Sequence, residues 1–313
     1  MSDKIALLFS GQGAQTVGMG HDLCAHSPAA TAVFREADSI LGRPLSKLAF
    51  EGPLEELTLT SNCQPALYVH GLAALAALRE AVGDFSVTGT AGLSLGEFTA
   101  HSAAGTVDFE AGLRLVEARG RFMEEACQAS SGAMAALIGA EENAARQLAT
   151  DTGVDVANLN CPGQIVLSGE AERIHQAIAK AKDAGIRRAT LLNVAGAYHS
   201  RLMEQARVRL GELLTQTTFH TPRFPVVANI DARPAQDSDE VRRTLTEQVT
   251  GSVRWTGSVE YLLDELGCNL LLELGPGEVL AGLVNRIRKG TEVYSIGDGP
   301  SLARAAERFK RAA

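Results

Sequence analysis

Short apolar runs alternate along this chain with longer segments in which apolar residues recur every three or four positions. Residues 4–9 form a run that predicts a buried strand, and residues 64–81, apolar over a broad face, predict a largely buried helix. A second strand is predicted at 89–93 and a helix at 96–104. Strands that alternate with helices in this way favour a mainly parallel α/β sheet.

The middle of the chain has its own order of elements. The pattern there predicts strands at 133–138, 154–160, 164–169 and 187–192, and helices at 141–152 and 170–184. The order βαββαβ is that of the ferredoxin-like unit. We therefore expect a small ferredoxin-like subdomain at 128–196, inserted into a larger α/β catalytic subdomain made of 1–127 and 197–313.

The alternation of strands and helices resumes after residue 196. The pattern predicts helices at 202–215, 238–249, 255–265 and 278–288, and strands at 225–228 and 269–274. Earlier in the chain, Asp108 precedes a periodic segment at 109–127 and is the predicted N-cap of that helix.

The composition narrows the class of protein. The chain has 313 residues, of which 45% are apolar and 21% charged, as is typical of a globular protein with a substantial core. The formal net charge of −8 and the aromatic content of 5% argue against nucleic-acid binding, which needs a basic surface and stacking side chains.

Cysteine usage and the lack of long apolar stretches predict a cytoplasmic location. No apolar stretch approaches the roughly 20 residues that span a membrane, and the first residues lack the layout of a secretory signal. The five cysteines show neither metal-ligand nor redox spacing, which fits a reducing compartment. We expect no membrane association and no metal site.

The sharpest local motif is Gly92-Leu93-Ser94-Leu95-Gly96, a G-x-S-x-G between a predicted strand and a predicted helix. Glycines on both sides permit a tight, strained turn that exposes the serine hydroxyl as a nucleophile. The N–H of Leu95 lies at the helix N-terminus, where it can stabilise an oxyanion. The alternative is a glycine-bounded turn with an incidental serine.

A serine nucleophile needs a base, and His199 is the favoured candidate among seven histidines. It lies in the short loop Gly196-Ala197-Tyr198-His199-Ser200 after the proposed insert. His101 lies two turns past Ser94 on the same predicted helix, whereas His175 and His220 have the pattern of solvated positions. The alternative for His199 is a purely structural histidine.

Two further features could serve such a site. The turn Gly11-Gln12-Gly13-Ala14-Gln15 can present backbone N–H groups as a second oxyanion donor. A phosphate-binding loop is disfavoured, because Thr16 replaces the third glycine and no Walker lysine follows. Arg119, beside Gly120, suits capture of a carboxylate, although most helical arginines are simply solvated.

Taken in order, these motifs resemble those of the malonyl-CoA:acyl carrier protein transacylases of fatty-acid or polyketide synthesis. The resemblance runs from the first strand to about residue 296. It rests on the following segments: Gly11–Gln15, Gln64–Leu67, Ser94–Glu97, Arg119-Gly120, Asn160 with Pro162-Gly163-Gln164, His199-Ser200, Val253–Trp255 and Glu273–Gly277. It implies a hydrolase-like large subdomain with a mainly parallel sheet and an inserted ferredoxin-like subdomain.

The resemblance also implies a ping-pong transfer of malonyl from malonyl-CoA to the phosphopantetheine thiol of an acyl carrier protein, with no metal and no cofactor. It implies these roles: Ser94 as nucleophile, His199 as base without a carboxylate third member, Gln12 and Leu95 as oxyanion N–H donors, Arg119 as partner of the malonyl carboxylate, Gln248 as support for the histidine, and Asn160 as a substrate-binding residue. We expect a monomer.

Two positions depart from the family pattern. Leu93 stands where the family commonly has a histidine before the serine, and that side chain cannot donate a hydrogen bond. Tyr198 precedes the catalytic histidine, where malonyl-selective members often have phenylalanine. Because the family's histidine before the serine is not the base, we expect activity to survive its replacement by Leu93. Since the loop Ala197-Tyr198-His199 is close to the pattern of malonyl-selective members, we expect malonyl as the main acyl group.

Two other functions stay open at this level. A proofreading acyl-thioester hydrolase would use the same serine and histidine, and a non-catalytic docking module for carrier protein would use neither. An acidic transferase would repel an acidic carrier protein, so we expect a local basic rim near the cleft. The candidates are Lys180, Lys182, Arg187, Arg188, Arg286, Arg288 and Lys289.

Overall fold

The computed structural model describes residues 3–312, which form two sheets and the helices around them. The strands are β1 (Ile5–Phe9), β2 (Val87–Gly92), β3 (Gly132–Ala140), β4 (Asp155–Cys161), β5 (Gly163–Glu170), β6 (Arg188–Leu191), β7 (Val226–Ala228), β8 (Arg233–Pro234), β9 (Leu270–Leu274) and β10 (Glu292–Ile296).

The helices cover both faces of one sheet and one side of the other. They are α1 (His21–His26), α2 (Pro28–Leu41), α3 (Leu45–Glu51), α4 (Leu54–Thr58), α5 (Thr60–Val82), α6 (Leu95–Ala103), α7 (Phe109–Gln128), α8 (Glu142–Thr152), α9 (Ala171–Lys180), α10 (Glu204–Gln216), α11 (Ser238–Glu247), α12 (Trp255–Glu260), α13 (Val279–Ile287) and α14 (Gly299–Ala312). A 3₁₀ turn, Arg201–Met203, precedes α10, and a π-helical turn, Tyr261–Glu265, follows α12.

The larger sheet has the order β10-β9-β1-β2-β7-β8 and is parallel except for β8. Side chains of β1 alternate between two cores: Leu7 and Phe9 pack in one, and Ala6 and Leu8 in the other. A central strand that is buried on both faces must be apolar throughout, which explains the continuous apolar run at its position. The predicted mainly parallel α/β sheet is confirmed.

The smaller sheet is antiparallel and has the order β4-β5-β3-β6. With α8 and α9 it encloses a separate core that includes Leu137, Ile165 and Ile174. This strand order is that of a ferredoxin-like unit, and it confirms the predicted fold class. The boundaries proposed for the two subdomains, at 127/128 and 196/197, stay a prediction.

Some elements differ from the sequence-based expectation. The apolar pattern predicts no element between residues 20 and 60, where α1 to α4 lie, nor at β10 and α14. Signals for α2 are nevertheless present, since the Ser27 hydroxyl accepts from the N–H of Ala30, Pro28 opens the helix and Gly42 ends it. The helix predicted at 170–184 ends at Lys180, and the one predicted at 255–265 is regular only to Glu260.

Helix α7 carries a charged residue into the core. Asp108 caps it as predicted, because its carboxylate accepts from the N–H of Ala111 at 2.8 Å. Eleven residues after the cap, the side chain of Arg119 on α7 is completely buried.

Within residues 3–312, none of the helices combines the length and the apolar character that crossing a membrane requires.

Candidate active site

The turn between β2 and α6 is strained at its centre. Ser94 has φ 52° and ψ −104°, a conformation that costs a non-glycine residue about 1–3 kcal/mol. A Cβ on Gly92 would lie 1.9 Å from the carbonyl carbon of Gly96, and one on Gly96 would lie 2.2 Å from the Phe9 carbonyl oxygen. Both glycines are therefore required for this turn, which lifts the hydroxyl of Ser94 above the sheet.

His199 lies against this hydroxyl. Its Nε2 is 2.8 Å from Ser94 Oγ, and its Nδ1 is 2.8 Å from the main-chain carbonyl oxygen of Gln248. Because a carbonyl oxygen only accepts, Nδ1 carries the proton and Nε2 is free to accept one from the serine. The main-chain carbonyl thus holds the histidine in the tautomer that a general base needs.

The electrostatic surroundings keep His199 neutral. Burial and the nearby charge of Arg119 lower the pKa of its imidazole to about 4. The ring is therefore unprotonated at neutral pH. Once it has taken the serine proton it is a stronger acid than an ordinary imidazolium, which favours transfer of that proton to a leaving group.

Arg119 brings a buried positive charge to the same hydroxyl. Its Nη2 donates to Ser94 Oγ at 3.1 Å and to Gln248 Oε1 at 2.8 Å, and its Nη1 donates to Gln64 Oε1 at 2.7 Å. All three partners are neutral. Burial lowers the pKa of the guanidinium to about 10, so the group stays charged at neutral pH. A buried cation with neutral partners favours the entry of an anion.

Two polar residues hold the backbone of Ser94 from either side. Asn229 Oδ1 accepts from the N–H of Ser94 at 2.7 Å, and Gln248 Nε2 donates to the carbonyl oxygen of Ser94 at 2.9 Å. Asn229 Nδ2 also donates to the carbonyl oxygen of Gly92 at 2.7 Å. The strained turn is therefore hydrogen-bonded on both sides of the nucleophile.

Behind these two residues lies a buried carboxylate. Glu97 Oε2 accepts from Gln248 Nε2 at 2.6 Å and from the main-chain N–H of Asn229 at 2.9 Å. Sequence reasoning assigned no role to Glu97 or Asn229. The sequence does contain features that point to both residues. Glu97 belongs to the Ser94–Glu97 motif, and Asn229 directly follows a predicted strand, at the sheet edge where the sites of parallel sheets form.

A cavity of about 530 Å³ opens beside the serine. The turns that follow β1 and β2 of the larger sheet and strands β3 to β5 of the smaller sheet contribute to its lining, which includes Gln12, Leu93, Ser94, Asn160, Tyr198, His199 and Leu280. Of the predicted site residues, Gln12, Ser94, Asn160 and His199 line the cavity, whereas Leu95, Arg119 and Gln248 are buried and do not. Asn160 lines the cavity, while its Oδ1 atom is buried and has no hydrogen-bond partner within residues 3–312.

One side of the cavity is a chain of polar side chains. Tyr198 OH lies 2.6 Å from Thr60 Oγ1 and accepts from Gln12 Nε2 at 3.3 Å. Gln64, which binds Arg119, donates to Gln12 Oε1 at 3.5 Å. This chain connects the loop of His199 with the guanidinium, and it gives the hydroxyl of Tyr198 a function that phenylalanine lacks.

Two predicted residues can contribute only main-chain groups to an oxyanion site. The side chain of Leu95 is fully buried, and its N–H opens α6, where it has no partner inside the helix. The side chain of Gln12 is bonded to Tyr198, which leaves its N–H for this purpose. Leu93 lines the cavity, and its N–H donates to the Phe9 carbonyl at 3.0 Å.

Comparison with known proteins gives consistent matches. The family model for the acyl transferase domain matches residues 6–256. The malonyl CoA-acyl carrier protein transacylase of Bacillus subtilis is 41% identical, with 98% of each chain covered. The crystal structure of an acyl carrier protein S-malonyltransferase from Vibrio cholerae superposes with a TM-score of 0.93 at 37% identity, covering 96% of this chain and 99% of that one.

A solved complex is similar to this chain as well. It contains a type II PKS acyl-carrier protein bound to its malonyl-transacylase. The match has a TM-score of 0.92 at 38% identity, and it covers 97% of this chain and 99% of the other.

Proposed function

Because the chain belongs to the malonyl-CoA:acyl carrier protein transacylase family, we propose that it carries malonyl groups on Ser94. The reaction moves malonyl from malonyl-CoA to the pantetheine thiol of an acyl carrier protein. One observation carries the residue assignment: Ser94 Oγ is shared by His199 Nε2 at 2.8 Å and Arg119 Nη2 at 3.1 Å. A base and a carboxylate partner therefore meet at one nucleophile.

In the first half-reaction, Ser94 Oγ attacks the thioester carbonyl while its proton passes to His199 Nε2. The N–H groups of Leu95 and Gln12 stabilise the oxyanion of the tetrahedral intermediate. The carbon–sulfur bond then breaks, and the CoA sulfur takes the proton from the imidazolium. The malonyl carboxylate replaces the serine hydroxyl as the partner of Arg119, which gives a charge-assisted hydrogen bond.

In the second half-reaction, the pantetheine thiol of the carrier protein gives its proton to His199 and attacks the malonyl ester. The ester bond to Ser94 breaks, and the serine oxygen recovers a proton from His199. Gln248 holds the histidine throughout by its carbonyl oxygen. Asn160 is assigned to substrate binding because it lies on β4 and lines the cavity beside Ser94.

The proposal includes the setting of the enzyme. No metal or cofactor takes part, since malonyl-CoA is a substrate and the phosphopantetheine belongs to the carrier protein. The enzyme acts as a monomer in the cytoplasm, a location supported by five cysteines with free thiols. The catalytic subdomain comprises 1–127 and 197–313, and the inserted subdomain comprises 128–196.

Carrier protein is proposed to dock on basic residues at the cavity mouth. Arg286 is exposed on α13, and its guanidinium donates to Gln164 Oε1 at 2.9 Å, next to the cavity. Arg288 is already paired with Asp264 at 2.8 Å. Because pairing neutralises Arg288, Arg286 is the stronger docking candidate of the two.

The proposed function is tested by loading and chasing Ser94. Incubation with malonyl-CoA should give a malonyl adduct on Ser94, detected by mass spectrometry of peptides. Ser94→Ala should lose the adduct. Ser102→Ala, a control on the same helix, should keep it, because the Ser102 hydroxyl bonds to Tyr68 at 2.7 Å and does not line the cavity. Carrier protein should discharge the adduct to form malonyl carrier protein.

The chase also decides between transferase and hydrolase. A transferase should hold the adduct in buffer and release it only to the carrier thiol. Rapid loss in buffer alone would instead support a thioester hydrolase, and an intact carrier-binding protein that never loads Ser94 would support a docking module.

A further inference from the structure

A buried carboxylate stands behind the site without an ion-pair partner. Glu97 lies in the first turn of α6 and is completely buried. Its Oε2 accepts two hydrogen bonds, from Gln248 Nε2 and from the Asn229 main-chain N–H, while its Oε1 has no partner within residues 3–312. Burial of a charged group is costly unless hydrogen bonds compensate it, so the two donors to Oε2 are what stabilises the charge here.

Both partners of Glu97 Oε2 hold the nucleophile. Asn229 accepts from the N–H of Ser94, and Gln248 donates to the carbonyl oxygen of Ser94. One carboxylate oxygen therefore anchors the two residues that hold the strained backbone of the serine. Gln248 extends the connection to His199 through its carbonyl oxygen and to Arg119 through Oε1.

We propose that Glu97 is a positioning residue, which keeps Ser94, His199 and Arg119 in their reactive arrangement by fixing Gln248 and Asn229. The inference rests on the proposed acyl transfer at Ser94. The negative charge matters, because an ionised oxygen accepts two hydrogen bonds more strongly than a neutral one. A glutamine in its place would offer a neutral oxygen to the same two donors and could not carry the charge.

The charge of Glu97 depends on pH in the working range. Burial raises the pKa of its carboxyl to about 7, and Asp231 acts in the same direction. The hydrogen bonds from Asn229 and Gln248 and the charge of Arg119 oppose this rise. His199, with a pKa near 4, stays neutral over the same range. Acidification from above to below pH 7 therefore protonates Glu97 before it protonates the base.

The test compares the pH profiles of wild type and Glu97→Gln. The rate of malonyl loading on Ser94 is measured at saturating malonyl-CoA by rapid quench and mass spectrometry, from about pH 5 to about pH 9. Wild type should lose rate as the pH falls through about 7. Glu97→Gln cannot titrate there, so its profile should be flat through this range, with the rate at pH 8 lowered about tenfold.

Glu273→Gln is the matched control. Glu273 is also fully buried, but its carboxylate accepts from the Leu280 and Ala281 N–H groups and the Ser295 hydroxyl, and none of these three residues bonds to Ser94, His199 or Arg119 within residues 3–312. It should keep the decline in rate near pH 7, even if its thermal stability falls. If Glu97 had a purely structural role, the loading rate of Glu97→Gln would be lower at every pH, and its decline near pH 7 would remain.

The outcomes separate the inference from the function on which it rests. Failure of wild type to load malonyl overturns the proposed function itself. If wild type loads malonyl but its rate is constant from about pH 8 to about pH 6, the role of Glu97 is wrong. That result needs no variant, so it stands even where Glu97→Gln does not fold. A Glu97→Gln profile that retains the decline near pH 7 also overturns the inference.

Discussion

At the scale of single residues, the site works by holding a cation close to a neutral nucleophile and base. Within residues 3–312, Arg119 has no direct carboxylate partner, and its three hydrogen bonds go to Gln64, Gln248 and Ser94. Its guanidinium also lies over the Phe98 ring, 5.3 Å from the centroid. A cation held in this way lowers the pKa of His199 and leaves one hydrogen bond, that to the serine, for exchange with a substrate carboxylate.

Arg119→Ala tests the carboxylate-binding role. In this variant, kcat/KM for malonyl-CoA should fall roughly a hundredfold, a loss of about 3 kcal/mol of transition-state stabilisation. The reason is that the malonyl carboxylate no longer has a charged partner. Acetyl transfer should be spared or raised, since an acetyl group has no carboxylate. The measurement is kcat/KM for malonyl-CoA and for acetyl-CoA.

Arg121→Ala is the control on the same helix. Arg121 is exposed and lies 4.0 Å from Glu125 at the surface, so both rates should stay unchanged. Equal losses of malonyl and acetyl transfer in Arg119→Ala would contradict the role.

At the scale of elements, short turns and helix ends bring the reacting groups together. The β2–α6 turn needs glycine at both flanks because main chain approaches main chain there. Glu273 at β9 reaches the start of α13, where its two oxygens accept from Leu280 N–H at 2.8 Å and Ala281 N–H at 3.0 Å. This cap orients α13, whose residues Leu280 and Leu283 line the cavity.

Gly96→Ala tests the close packing of the turn. The new Cβ would lie 2.2 Å from the Phe9 carbonyl oxygen, a distance that forces the backbone to shift. We expect a loss of unfolding free energy above about 3 kcal/mol, together with loss of Ser94 acylation. Urea unfolding followed by fluorescence of Trp255, and mass spectrometry of the adduct, measure the two effects.

Gly282→Ala is the opposite case in α13. A Cβ there meets nothing within 4 Å, so the change should stabilise the helix by about 0.5–1 kcal/mol and leave acylation intact. A Gly96→Ala protein as stable and active as this control would contradict the packing argument.

At the scale of the whole molecule, two sheets meet around one cavity and are tied together near the histidine. Leu159 N–H donates to the Val253 carbonyl, and Val253 N–H donates to the Ala157 carbonyl. Arg201, two residues after His199, pairs with Asp155 at the start of β4. Beside the cavity, Arg286 is exposed, and its guanidinium donates to Gln164 Oε1 of the cavity lining at 2.9 Å.

Arg286→Glu tests the docking surface for carrier protein. Reversal of this charge should raise the KM for carrier protein several-fold, about 1 kcal/mol in binding, and leave the rate of loading from malonyl-CoA unchanged. The carrier KM should also depend less on salt in the variant, since one attractive charge is lost.

Lys310→Glu provides the control for this charge reversal. It makes the same change on α14, which packs on the opposite face of the larger sheet from α13. Equal KM values for Arg286→Glu and wild type would rule out docking at α13. The exposed cluster of Lys180, Lys182, Arg187 and Arg188 would then be the next surface to test.

The sequence by itself determined the α/β class, the βαββαβ insert and the position of the glycine-flanked serine. These follow from local information, because the period of apolar residues reports which face is buried and glycine reports where backbone strain is tolerated. The family resemblance added the roles expected of His199, Arg119 and Gln248. Capping signals around α2 were also local, although the apolar pattern did not reveal that helix.

Only the tertiary structure decided how the site is held and charged. Gln248 lies 154 positions from Ser94, and Asn229 lies 135 positions away, yet both bind its main chain. The pattern of apolar residues does not predict such partners, since the period within one element carries no information about which distant side chain lies against it. The pKa of Glu97 near 7 and that of His199 near 4 likewise depend on burial and on neighbours that the fold brings together.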